Sequence, residues 1–116
     1  MASFMIQGGD TSGTGKGGQS IWGEPFPDEI SRELTFDKRG MLAYANKGAD
    51  DNGSQFFFTY TTQAHLNGKY TIFGQVIDGL AVLDAMERVP VGKKNRPTEE
   101  ILIKGCTVHA NPLATF

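Results

Sequence analysis

The chain has 116 residues, of which 39% are hydrophobic and 21% charged, and its formal net charge is −2. That length suits one domain with a modest core, and the composition is too apolar for a disordered tail and too polar for a membrane protein. Lysines and arginines are scattered, which argues against a broad nucleic-acid footprint; the lone Cys106 excludes an internal disulfide and a cysteine zinc site.

No apolar run approaches the roughly 20 residues that span a bilayer. The N-terminal Met-Ala-Ser-Phe-Met-Ile-Gln-Gly-Gly lacks a basic region followed by an apolar one, so no secretory signal is expected. With a single cysteine, a reducing cytoplasmic or nuclear compartment fits best. Glycine is the outlier: 15 residues, near twice the usual share of ~7%.

In chain order, Phe4 to Gln7 reads as the end of a strand running into Gly8-Gly9-Asp10. Residues 8–23 are mostly Gly, Ser and Thr, with one Lys, and read as a long loop of the kind that compact domains keep only for a use. Pro25 and Pro27 frame Phe26, expected to anchor the loop's exit to the core. A short helical turn is expected within 28–36. Gly40 to Asn46 reads as a strand, 47–53 as a polar loop closing on Asn52-Gly53, and Gln55 to Tyr60 as a strand buried on both faces. Tyr70 to Ile77 is a further strand. Leu80, Leu83 and Met86 then repeat at helical spacing, and Pro90 stops that helix after Val89. Ile101-Leu102-Ile103 and Thr107-Val108 read as a last strand. There is no linker and no internal repeat, so residues 1–116 are expected to form a single domain.

Gly13-Thr14-Gly15-Lys16-Gly17-Gly18 matches the dinucleotide pattern G-x-G-x-x-G. That chemistry needs a helix N-terminus directly after the loop, to aim amides at phosphate. Gly23, Pro25 and Pro27 forbid a helix there, and Lys16 is followed by Gly rather than Ser or Thr. A nucleotide enzyme is therefore the weakest of three readings.

Four segments are specific when taken together: Phe4-Met5-Ile6-Gln7-Gly8-Gly9-Asp10; Gly17-Gly18-Gln19-Ser20-Ile21-Trp22-Gly23; Ala45-Asn46 leading to Asn52-Gly53-Ser54-Gln55-Phe56-Phe57; and His65-Leu66-Asn67-Gly68-Lys69-Tyr70. Their order and spacing resemble the cyclophilins, peptidyl-prolyl cis-trans isomerases built on a closed eight-stranded barrel. His65, Tyr70, Val76 to Gly79 and His109 to Pro112 are most similar to the cyclophilin J branch. The resemblance implies a mainly β, cyclophilin-like antiparallel barrel with one helix in the C-terminal half. It also implies that the chain is incomplete, the first strands and first helix having no counterpart.

The chemistry such a protein performs follows from the peptide bond. Rotation about X–Pro meets a barrier near ~18–20 kcal/mol and takes tens to hundreds of seconds unaided. A catalyst breaks no bond. It holds the proline ring and the flanking backbone, and a cationic donor favours the twisted amide over both planar forms. By resemblance, Phe4, Met5, Phe57 and Leu66 form the apolar cup for the ring, with Tyr70 at its edge. Gln7 and Asn46 hydrogen-bond the substrate backbone, with Gln55 beside them. Gly15, Ala45, Lys47 and His65 line the groove for flanking residues. Phe4, Gln7, Asn46 and Tyr70 are thus the expected catalytic positions. No cofactor or metal is implied.

Read without the family, Phe4, Met5 and Phe57 would be core, as would Phe56, Phe58, Leu42 and Phe73. Cys106 would be a small buried hydrophobe, His109 a surface histidine and Lys93-Lys94 a solvated turn. The family pattern also carries an arginine shortly before the position of Phe4, where this chain has only Met-Ala-Ser. Its absence implies weak turnover, or a binding module that grips proline peptides without isomerising them. The resemblance further implies proline-containing and spliceosomal protein partners, and weak binding of the family's macrocyclic, cyclosporin-type inhibitor because His65 stands where an indole donor is usual. Neither membrane nor nucleic acid is an expected partner.

Overall fold

The computed structural model describes residues 4–109. Four strands form one antiparallel sheet: β1 (Met5–Gly8), β2 (Met41–Asn46), β3 (Asn52–Thr59) and β4 (Ile72–Gln75), in the order β1-β3-β2-β4. One α-helix, α1, spans Leu80–Glu87, and single 3₁₀ turns lie at Ala64–Leu66 and Lys93–Asn95. The protein is mainly β, an incomplete cyclophilin-like barrel with four strands and one helix among the described residues.

Alternation along the strands divides the sheet into two unlike faces, because residues directly opposite in the register share a side. On one face Met5, Met41, Ala43, Phe57 and Ile72 are buried and join Phe36 and Leu66 in one cluster. Thr59 completes this face; its hydroxyl accepts from the Met41 amide at 3.1 Å and donates to the Lys38 carbonyl at 2.9 Å. On the other face Ile6 and Leu42 flank Phe58, and Gly8 and Tyr44 flank Phe56. These side chains are half-buried, and Phe73 of β4 is 46% exposed. The expectation that β3 is buried on both faces, and that Phe56, Phe58, Leu42 and Phe73 are plain core, is therefore corrected. Among the described residues the Phe57 side of the sheet is the fully covered one, and the other side is covered in part.

Other differences have local causes. No helical turn forms at 28–36 beyond a bend closed by the Leu34 amide on the Ser31 carbonyl. The chain is instead drawn inward by Phe36, which is 1% exposed. Strand β3 begins at Asn52 rather than Gln55 because Asn52 exchanges both backbone hydrogen bonds with Phe26. Its side chain also donates to the Phe26 carbonyl and to Asp28. Phe26 does anchor the loop exit, packing edge-on to Tyr44 at 4.9 Å. Residues 101–109 form no strand, and Leu102, Ile103 and Val108 are 65–76% exposed. Ladder hydrogen bonds require a neighbour, and no described residue supplies one. Cys106 in this segment is exposed, not buried.

Helix α1 begins where sequence places it. Gly79 holds φ at 90°, a left-handed conformation that side chains resist, and Val89 closes the last turn on the Met86 carbonyl ahead of Pro90. Leu83 is its buried residue. Arg39 ties the helix to the sheet through Asp84 and Glu87 while donating to the Tyr60 carbonyl.

Candidate functional site

The apolar half of the site grows from β3. Phe57 stacks on Phe36 with ring centroids 5.7 Å apart and meets Tyr70 edge-on at 5.5 Å. Met5 from β1 and Leu66 from the 3₁₀ turn are buried beside it, and Phe4 and Tyr70 stand half-buried at the margin. Exposed His65 lies against Phe4 at 5.9 Å. Phe4, Met5, Phe57, Leu66 and Tyr70 thus gather in one cluster with His65 at its rim. Because Phe57 is only 1% exposed, the cluster offers a floor with raised edges rather than a deep hole.

The polar half depends on an irregularity in the sheet. Tyr44 faces Phe56, but Asn46 faces Asn52, so two steps along β2 match four along β3. The surplus on β3 is a bulge, the device by which strands re-aim side chains, and Gln55 lies on it. Its amide donates to the carbonyls of Gly17 at 2.8 Å and Gly15 at 3.3 Å, while its oxygen accepts from Gln7 at 2.8 Å. Asn46 donates to the Lys69 carbonyl at 3.3 Å, and the Lys47 ammonium to the Lys16 carbonyl at 3.4 Å. A cavity of about 280 Å³ opens here, lined by Gln7, Ala45, Asn46, Lys47 and Gln55 together with Gly15 and its neighbours in the glycine-rich loop. The twelve positions singled out from sequence therefore fall into two adjoining groups. Ala45 belongs to both, packing on the apolar cluster while lining the cavity.

Asp10 organises the loop. Its carboxylate accepts from the Ser12 hydroxyl at 2.7 Å and from the amides of Ser12, Gly15 and Gly17. These bonds, the Ser12 hydroxyl first, hold its pKa well below the ordinary carboxylate range. The loop seats on the bulge through the Ser54 hydroxyl, which donates to the Gly9 carbonyl at 2.6 Å. Close approach dictates glycine here. A Cβ at Gly9 would meet the Ser54 carbonyl at 2.3 Å, and Gly9 holds φ at 93°. The dinucleotide-like run is consumed by this packing, and bends rather than a helix follow Gly18.

Three contributors escape a reading from sequence. Phe36 underlies Phe57, yet in the chain it is a lone aromatic in a polar stretch. Lys16 and Glu24 line the cavity, and only the length of the glycine-rich loop signals that it does anything. No arginine lines the cavity among the described residues. Arg39 is committed to α1, and Arg96 donates to the Gly13 carbonyl on the glycine-rich loop. Met1 to Ser3, where sequence lacks the family's arginine, lie outside the described residues, as do Ala110 to Pro112. Among the described residues no cluster of His, Cys, Asp or Glu is placed to hold a metal, and no helix is long and apolar enough to cross a membrane.

Residues 1–108 match the family model for cyclophilin type peptidyl-prolyl cis-trans isomerases. The chain belongs to the cyclophilins. It is 65% identical over 115 residues to the peptidyl-prolyl cis-trans isomerase-like 3 of Mycosarcoma maydis, covering 97% of this chain and 68% of that one. The protein of the same name from Homo sapiens is 54% identical over 112 residues, covering 96% and 70%. Among solved cyclophilins, a Cryptosporidium parvum peptidyl-prolyl cis-trans isomerase superposes with a TM-score of 0.91 at 50% identity, over 97% of this chain and 71% of that one. A second structure of that enzyme was determined in the presence of the dipeptide Ala-Pro, again with a TM-score of 0.91. This cyclophilin thus spans about two thirds of the length of these relatives.

Proposed function

We propose that the chain binds proline-containing peptides across the Phe4–Phe57–Leu66 cluster and accelerates rotation about their X–Pro bonds at a reduced rate. The observation that carries this reading is the gathering of Phe4, Met5, Phe57, Leu66 and Tyr70 beside the polar rim of Gln7, Asn46 and Gln55. A pyrrolidine ring laid on that floor buries apolar surface. Gln7, fixed by Gln55, and the Asn46 amide hold the flanking backbone. Rotation then occurs about a bond whose two ends are gripped separately, and Tyr70, edge-on to Phe57, supplies a hydroxyl at the cup's edge.

The reduced rate is inferred from the sequence, which has no arginine just before Phe4 to favour the twisted amide, and among the described residues no arginine lines the cavity. A hydrogen bond from a charged group is worth ~1.5–3 kcal/mol, and 1.36 kcal/mol is a factor of ten. Turnover roughly ten- to two-hundredfold below an arginine-bearing cyclophilin is expected. Exchange NMR on a short peptide with a central Ala-Pro tests this, since it reads binding and isomerisation in one sample. Line-shape changes with cis–trans exchange faster than the free peptide's would support the isomerase.

Binding without acceleration would instead support a second reading, a recognition module within a larger assembly. The Tyr70 phenol at a position where an imidazole is usual favours that alternative. For either reading we propose a cytoplasmic or nuclear setting with splicing proteins among the partners. Support comes from the single cysteine and from the likeness to the cyclophilin J branch. Failure of the chain to co-purify with splicing proteins from nuclear extract would remove the partner class.

A further inference from the structure

The glycine-rich loop has no core of its own. Gly13, Gly15 and Gly18 hold positive φ, and glycine gives up more conformational freedom on ordering than any other residue. The Asp10 cage orders the loop internally, but the cage must still be anchored to the rest of the molecule. Ser54, Gln55 and Lys47 hold the carbonyls of Gly9, Gly15, Lys16 and Gly17, and these donors lie on or directly beside β2 and β3. Arg96 comes from elsewhere. It stands in the turn at 91–98, 83 residues along the chain from Gly13, whose carbonyl accepts from its guanidinium.

That turn is itself closely tied. The Gly92 amide donates to the Arg96 carbonyl at 2.7 Å, the Asn95 and Arg96 amides close back on Gly92 and Lys93, and the Thr98 amide and hydroxyl both reach the Pro90 carbonyl. Lys94 and Asn95 hold φ at 57°, a left-handed conformation that residues other than glycine keep only where their surroundings enforce it. Arg96 is exposed, and a free side chain there would gain little over water. Standing on a fixed main chain, it gives up less freedom in reaching Gly13.

We infer that Arg96 is a positioning residue for the peptide site, acting through the glycine-rich loop rather than on the substrate; this rests on the peptide-binding reading above. The links are continuous. Arg96 holds Gly13, whose amide donates to the Asp10 carbonyl at 3.1 Å. The Asp10 carboxylate takes the amides of Gly15 and Gly17, and the carbonyls of those two residues take the Gln55 side-chain amide. Gln55 in turn fixes Gln7 at 2.8 Å. Gln7 is thus aimed from a segment that does not line the cavity, while the apolar cup takes no part in these bonds.

Nuclear magnetic resonance on the full chain tests the inference. Arg96→Gln should lower exchange protection of the Gly15 and Gly17 amides and shift the side-chain amide signals of Gln55 and Gln7, with the urea midpoint unchanged. Affinity for a short peptide with a central Ala-Pro should fall roughly two- to tenfold, the worth of one exposed hydrogen bond, while cis–trans exchange of the bound peptide keeps its rate. Arg96→Lys retains a cationic donor and should recover most of the loss. Asp10→Asn breaks the next link, so adding Arg96→Gln to it should have little further effect. Unmoved Gln7 and Gln55 signals in Arg96→Gln would overturn the inference, as would an unchanged affinity where the native chain binds. Loss of protection across the whole sheet with a lower urea midpoint would overturn it too, making Arg96 a prop of the fold. Should the native chain not bind the peptide, the peptide-binding reading falls, and the glutamine signals still decide whether Arg96 positions them.

Discussion

Phe57 sits between Phe36 and Tyr70 with almost no exposed surface, so the side chain proposed as binding floor is also core. Removing it therefore acts on stability before it acts on recognition. Phe57→Ala is expected to cost about 3–5 kcal/mol in urea unfolding, a large share of the 5–15 kcal/mol typical of whole domains. His65 offers a cleaner separation because it is exposed and its ring lies against Phe4 at the margin of the cluster. His65→Trp adds an indole donor at the groove edge. One neutral hydrogen bond is worth about 0.5–1.5 kcal/mol, so calorimetry should find the macrocyclic inhibitor bound roughly two- to tenfold more tightly, with unfolding unchanged. At this scale the apolar residues Phe4, Met5, Phe57 and Leu66 were singled out through the family resemblance alone, and the structure gathers them in one cluster. Phe36 was not singled out, since nothing in its neighbours announces that a lone aromatic will turn inward. Nor could alternation along the strands say which face would be covered.

Among the elements, the glycine-rich loop owes its shape to one carboxylate rather than to a core. Asp10 titrates below the ordinary carboxylate value of 3.8, principally through the Ser12 hydroxyl and then through loop amides. The sign follows from linkage: a group whose acidity is strengthened by folding contributes fully above its unfolded pKa, and the contribution is lost as pH falls below it. Hydrogen-exchange protection of the Gly15 and Gly17 amides should thus hold from neutral pH to about 4 and decline in stronger acid, after allowance for intrinsic exchange rates. Asp10→Asn should show the lower protection already at neutral pH. The breakers that frame β2 and α1, namely Gly40, Gly79 and Pro90, act locally, which is why those two elements could be placed from sequence. The beginning of β3 could not, because it is fixed by an exchange of hydrogen bonds between Asn52 and Phe26, far away in the chain. The strand expected at 101–108 illustrates the same limit, since its β-forming residues remain without a ladder.

At the level of the whole molecule, sequence conveyed the family and the mainly β architecture, but not the state of the sheet's two faces. That outcome depends on which strands are neighbours, a property of the assembled sheet rather than of any segment. The order of the strands has a further consequence in time. Strands β2 and β3 are joined by a short loop and can pair early. Strand β1 must find its place against β3 across the span from residue 5 to residue 59, and contacts so distant along the chain form slowly. Met5 and Gln7 arrive only with β1, so the hairpin should exist for an interval as a scaffold that cannot yet grip proline. In stopped-flow refolding, recovery of peptide capture is expected to follow the slowest phase, well after most of the secondary structure has returned.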